Sequence, residues 1–297
     1  MQSIINWFKA GNMIAKLLGI NIAMFVLVGI IGVFINFSGQ QGHNGLVDIL
    51  SANSNLLETL SRPWSIITYM FLHQGLWHLA GNMLVLFYAG RFFISFLNEQ
   101  RVLPTYLLGG FVGLGFYILC YNVFPIFAQN SYAPILGASA AVISILVAVA
   151  TFVPNHSVVL MIIGPVKLKY IALFYVALDF LALQNNGPGG NLGGHIAHLG
   201  GALYGFIMVQ QLKKGNDWSL KVNKVLNIFF SLFKKRPKIR VVHKNKKARP
   251  VSDQEFNTRK KEKQVQIDRI LDKISKSGYD SLSKEEKALL FQVSNEQ

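Results

Sequence analysis

Polar residues able to do chemistry are sparse within the apolar runs of this chain, and five stand in suggestive places: His78 with Asn82, then Ser139, then His195 with His198. A serine hydroxyl becomes a useful nucleophile only when a nearby base takes its proton, and His198 is the candidate base for Ser139. Ser139 sits in Pro134-Ile-Leu-Gly137-Ala138-Ser139-Ala140, where Pro and Gly can end a loop and open a helix. Such a helix start presents unpaired backbone N–H groups, that of Ser139 included, toward a developing oxyanion. His78 and Asn82 are four residues apart, hence on one helical face, and can donate further hydrogen bonds to that oxygen. His195, three residues before His198, is an alternative base with a worse spacing to Gly201 and Gly205, which leaves it a supporting or lid-packing role. His73 is as readily a solvated loop histidine as a partner. Asp179 could be taken for the third member of a triad, but a charge at a helix end commonly orders a loop or meets water, and the structural reading is preferred.

The elements that must position these groups follow from hydropathy. The chain has 297 residues, 52% hydrophobic and only 14% charged, which excludes a disordered tail protein, a coiled coil and an ordinary soluble enzyme. Charge is segregated: residues 213–297 hold 22 of the 29 Lys and Arg and 10 of the 14 Asp and Glu, a net +12 of the total +15. The remainder is membrane-like. A helix crossing about 30 Å of hydrocarbon needs roughly 20 apolar residues, and six runs approach that length. They cover residues 17–37, 77–93, 106–124, 135–153, 168–183 and 192–209. Lys and Arg fall on one side of such a bundle: Lys9 and Lys16, Arg91 and Arg101, Lys167 and Lys169, and the basic tail; the opposite side receives only Arg62. Both termini are therefore expected in the cytoplasm, and the first run, too long for a signal-peptide core, is expected to be retained. His78, Asn82, Ser139 and His198 then lie near the outer ends of three spans running the same way, within roughly 10 Å of one surface, where they can share a cavity. Gly201 and Gly205 form a small-xxx-small face one and two turns below His198, allowing two helices to approach closely. The single Cys120 permits no intrachain disulfide and reads as a packing residue.

These residues resemble the rhomboid family of intramembrane serine proteases. His78-Leu-Ala-Gly-Asn82 is similar to the family's His-x-x-x-Asn, Gly137-Ala138-Ser139 to its Gly-x-Ser, and Ala197-His198-Leu-Gly-Gly201-Ala-Leu-Tyr-Gly205 to its Ala-His-x-x-Gly-x-x-x-Gly. The resemblance covers about residues 10–212 and implies an all-α bundle of six transmembrane helices. It implies a Ser139–His198 dyad without a catalytic carboxylate, an oxyanion hole from His78, Asn82 and the Ser139 N–H, transmembrane protein substrates, no cofactor and no metal, and a bacterial inner membrane. The sequence departs from the pattern at Ser65 after Trp64, at Ala140 and at Ile143.

The expected organisation is a membrane domain over 1–212, a basic juxtamembrane segment and linker over 213–257, and a small cytoplasmic helical region over 258–297. Ser219 to Phe233 mixes Lys221 and Lys224 with apolar residues and predicts an interfacial amphipathic helix. The basic run from Lys234 to Arg249 predicts attraction to anionic lipid headgroups rather than nucleic acid. Ile267, Ile270, Leu271 and Ile274 recur at helical spacing, and Ser283-x-x-Glu286 makes a capping box before Ala288-Leu-Leu-Phe291, predicting a small helical hairpin whose role, partner binding with an unknown partner or regulation, stays open. The flexible connection from Asn185 to Gly194 is expected to cap the cavity. Two alternatives stand beside the protease: a non-catalytic rhomboid-like protein that binds membrane clients, and a metal enzyme using His73, His78, His195 and His198. No His-Glu-x-x-His motif or carboxylate cluster supports the latter.

Overall fold

The computed structural model describes residues 11–38, 45–130, 133–160, 163–184, 191–233 and 252–294. The chain divides into two compact units, Met1–Lys234 and Lys235–Gln297. The first is predominantly helical. Its long helices are α1 (Met13–Phe37), then, after the short turns α2 (Gly45–Leu50), α3 (Leu56–Ser61) and α4 (Ser65–Thr68), α5 (Leu76–Leu97) and α6 (Val102–Val123). They are followed by α7 (Ser139–Phe152), α8 (Leu168–Ala182), α9 (Leu192–Lys213) and α10 (Trp218–Phe233). Four of these, α1, α5, α6 with the turn before it, and α9, are long and apolar enough to cross a membrane.

The helix that carries Ser139 is the shortest of the central set. The apolar run at 135–153 does not form one helix: Pro134–Ile135 pairs as a strand with Ala52–Asn53, and Gly137 at φ +139° turns the chain before the helix begins. What remains, α7, has 14 residues and is about 21 Å long at 1.5 Å per residue. Eleven of those residues are buried, so α7 is wrapped by its neighbours rather than by lipid. The outer helices behave oppositely. Along α1, Val26, Ile30, Val33, Phe34 and Phe37 are all exposed, as are Leu173, Phe174, Leu178 and Leu181 on α8. Exposed apolar faces of this extent suit hydrocarbon and not water.

Close packing of α6, α7 and α9 uses small side chains. A Cβ placed on Gly201 would overlap the carbonyl oxygen of Ala140, and one on Gly205 would overlap that of Ser144. The sequence expectation of a small-xxx-small contact beneath His198 is met by this approach of two backbones. Ser144, buried in the same layer, has its one O–H proton shared between Ala141 O at 2.7 Å and Thr105 O at 3.1 Å.

The loop before α5 is tied to the segment that leads into Ser139. Besides the strand pair, Gly137 N–H donates to Tyr69 O at 2.9 Å, and Tyr69 O–H donates to Gly110 O on α6 at 2.6 Å. Trp64 Nε1–H donates to Ile49 O at 2.9 Å, and Arg62 pairs with Glu58 at 2.8 Å. The segments Ser157–Leu160 and Gly164–Lys167 form an antiparallel hairpin between α7 and α8. Cys120 is buried and free.

The second unit contains α11 (Asp253–Ser277) and α12 (Lys284–Ser294), separated by Gly278 at φ +75°. Its capping box is formed reciprocally, with Ser283 N–H donating to Glu286 Oε2 at 2.7 Å and Glu286 N–H to Ser283 Oγ at 3.2 Å. The basic run 234–249 and residues 185–190 of the expected cap lie outside the described residues.

Candidate active site

Ser139 is the first residue of α7, and Ala138 before it provides no side-chain cap. The first amides of that helix therefore have no intrahelical acceptor, and their N–H groups point out of the helix start. Ser139 Oγ lies 2.6 Å from His198 Nε2. The approach exists because α7 and α9 meet at Gly201, three residues beyond His198, and at Gly205 one turn further.

Four elements close around this pair. From α5 come His78 and Asn82, one turn apart on the inward face; Asn82 is buried, and its Nδ2 donates to His78 O at 3.1 Å. One N–H of the amide remains for another acceptor. The His78 ring lies against the turn before Ser139: a Cβ on Gly137 would sit 3.1 Å from Cε1 and 3.2 Å from Nε2 of that ring. Gly137 is thus required twice, by its positive φ and by the closeness of His78. The resulting cavity, about 550 Å³, is lined by Trp77, His78, Asn82, Ser139, Ile143, Asp179, His195 and His198 among others. Ala140 faces away from it and is buried against α6 and α9, while Ile143 lines it one turn below Ser139.

The main difference from the sequence reading concerns Asp179. A helix-end charge ordering a loop or meeting water was expected, and the family pattern implied no carboxylate at the dyad. Instead Asp179 is buried, at 7% exposure, and its Oδ1 lies 2.8 Å from His198 Nδ1 and 2.7 Å from His195 Nδ1. The physical reason is the antiparallel pairing of α8 and α9: Asp179 is three residues from the end of one and His195 three from the start of the other. A signal for this was present, because Asp179 is the only Asp, Glu, Lys or Arg between Tyr170 and Leu212. A lone carboxylate in an apolar helix is costly unless it is paired, and histidines one turn apart were available. His195 therefore sits in the site as a partner of Asp179, with its side chain 28% exposed against 14% for His198.

Asp179, His195 and His198 each offer one atom of metal-ligand type, all within 4.8 Å of one another. The hydrogen bonds already account for that closeness. His73 packs edge-on to His78 with ring centroids 5.1 Å apart, in the turn before α5. Burial, with His78 beside it, pushes the His73 imidazole down to about 4.

Residues 60–214 match the rhomboid domain, and residues 252–296 match a family of unknown function (DUF6576). The chain is similar to the "Presenilin-associated rhomboid-like protein, mitochondrial" of Bos taurus, 29% identical over 142 residues, 46% of this chain and 34% of that protein. It is similar to "RHOMBOID-like protein 12, mitochondrial" of Arabidopsis thaliana, 27% identical over 182 residues, 58% of this chain and 52% of that protein. The "Presenilin-associated rhomboid-like protein A, mitochondrial" of Danio rerio is 31% identical over 152 residues, 49% of this chain and 36% of that protein. The matches thus span about a third to a half of these relatives' lengths. Their names correct one expectation. A bacterial inner membrane with cytoplasmic termini was inferred, whereas these relatives are mitochondrial. Hydropathy and Lys/Arg asymmetry orient a bundle, but they carry no address for the membrane that holds it.

Proposed function

Because this chain belongs to the rhomboid family, we propose that it is an intramembrane serine endopeptidase that cuts transmembrane proteins, with Ser139 as nucleophile and His198 as base. The observation that carries this reading is the 2.6 Å contact between Ser139 Oγ and His198 Nε2 in a cavity within a bundle of membrane-length helices. The proposal counts α7 and α8 as the fourth and fifth of six spans. It sets the cavity toward the membrane face opposite the Lys and Arg side, and assigns the basic run 234–249 to anionic lipid headgroups.

In the first step the Ser139 O–H proton passes to His198 Nε2 as Oγ attacks the scissile carbonyl carbon. The carbonyl oxygen becomes an oxyanion, for which the donors are the Ser139 N–H, the free Asn82 amide N–H and the His78 ring N–H. The tetrahedral intermediate then collapses, the C–N bond breaks, and His198 returns its proton to the leaving amine. Water attacks the acyl-enzyme with His198 again as base, which restores Ser139 and frees the new carboxylate. A substrate helix must unwind locally to expose its amide, tolerable only in a protein-lined, hydrated pocket. Such a pocket close to a membrane face also supplies the water.

The test uses the purified full chain in liposomes with a panel of single-span model helices carrying Gly or Pro breaks. Wild type is expected to cut bonds within or beside the span, and Ser139→Ala and His198→Ala are expected not to. Equal cutting by Ser139→Ala would overturn the assignment, and a wild type that only binds the helices would favour a client-binding protein.

A further inference from the structure

The two hydrogen bonds on Asp179 constrain the state of the base. An ionised carboxylate can only accept, so the Nδ1 of His198 and the Nδ1 of His195 must each donate to Oδ1. A neutral imidazole carries one ring proton. With that proton on Nδ1, the Nε2 of His198 presents its lone pair to the Ser139 hydroxyl 2.6 Å away. The opposite tautomer would set an N–H against the hydroxyl and leave no base.

Resting on the reading of Ser139 and His198 given above, we infer that Asp179 is the positioning residue for His198, so that the site is a triad of Ser139, His198 and Asp179, with His195 as the second donor that holds the carboxylate in place. Three further observations bear on this. Asp179 lies on a helix whose neighbouring Leu178, Phe180 and Leu181 are exposed apolar residues, so a carboxylate there needs strong local partners. It faces the first turn of α9, whose positive end favours a negative charge. When His198 takes the serine proton, the imidazolium that forms stays 2.8 Å from the carboxylate, which opposes its charge at the moment it appears. His195 is one turn from His198 on the same helix, so one carboxylate oxygen aligns both rings.

The experiment compares wild type, Asp179→Asn, Asp179→Glu and His195→Ala in the full chain. It measures saturation kinetics of covalent labelling by a fluorophosphonate, the thermal midpoint, and the ring ¹⁵N shifts of the histidines. Asp179→Asn is expected to lower the maximal labelling rate about 10²- to 10⁴-fold, with the half-saturating probe concentration within about twofold, as for loss of a base held in the right tautomer. The His198 resonances are expected to change from the Nδ1–H to the Nε2–H pattern, Asp179→Glu is expected to recover part of the rate, and His195→Ala to lose about tenfold or less, a small part of that factor. A labelling rate within about threefold of wild type in Asp179→Asn, far outside that range, would overturn the inference. So would a lower thermal midpoint with His198 still in its wild-type tautomer. If the wild type takes no label at all, the protease reading fails separately; the His198 resonances then decide alone whether Asp179 sets the tautomer.

Discussion

At the residue scale of the proposed mechanism, Ser139, the nucleophile, begins α7 and adds its own N–H to the oxyanion donors. The base His198 sits in the second turn of α9, and the other two donors, His78 and Asn82, come from the first two turns of α5. Because a preorganised donor acts where charge develops, His78 and Asn82 should matter more for rate than for binding. Asn82→Ala is expected to reduce turnover of a model substrate about 10²- to 10³-fold with KM little changed, the range for loss of one oxyanion donor. A rise in KM alone would move Asn82 from oxyanion stabilisation to substrate contact. Ser139, His198, His78 and Asn82 were legible in the sequence because helical spacing fixes depth along a span, and depth was enough to gather them. Asp179 was not legible in the same way. Its partners lie on the next helix, across a connection, and spacing within one helix says nothing about which end of another it meets.

At the element scale, the short α7 and the close crossing of α9 are what bring the hydroxyl and imidazole together. Gly201→Val is expected to destabilise the bundle by about 1–3 kcal/mol, the usual cost of overpacking a tight contact, because the new side chain meets the Ala140 carbonyl. Thermal unfolding measures the first effect, and a loss of activity larger than the folded fraction explains would mark the second, separation of base from nucleophile. Hydropathy alone carries this run back to Ile135, because it is blind to a strand pair and a positive-φ glycine; Pro134 and Gly137 were the local signals that a helix opens at Ser139. A second tie anchors the end of α9. Arg101 donates from Nε and Nη2 to Asp217 at 2.9 Å each, and Ser219 N–H donates to the same carboxylate at 2.9 Å. Burial alone would raise the Asp217 carboxyl, but these hydrogen bonds outweigh it and hold it below its ordinary 3.8. The folded state then binds protons less readily than the unfolded one, so this contribution is complete above 3.8 and is lost as the pH falls through the lowered value. Thermal midpoints from neutral to strongly acidic pH should therefore fall less steeply in Asp217→Asn than in wild type; parallel curves would show that this tie is not coupled to folding.

At the scale of the whole molecule, two solvents shape the chain. The membrane-like part carries seven Lys and Arg, the rest lying beyond residue 212, and an orientation follows from their placement. In a Cys120→Ser background, Val159→Cys in the exposed hairpin and Lys214→Cys after α9 are expected to react with a membrane-impermeant maleimide from the same side. Ser38→Cys, after α1, should react from the other. Reaction of Val159→Cys and Ser38→Cys from one side would break the span count. The membrane itself could not be read from these features, because charge asymmetry orients helices in any bilayer. The second unit was legible as a helical hairpin, since its capping box and apolar spacing are local signals; such local signals do not describe what the unit does.

Activation of the Ser139 hydroxyl by His198 is tested by mass mapping of the adduct formed when the full chain reacts with a fluorophosphonate. One phosphonyl group per chain is expected, on the peptide holding Ser139, and none on Ser139→Ala or His198→Ala. An adduct on another serine, or undiminished labelling of the Ser139→Ala protein, would contradict it.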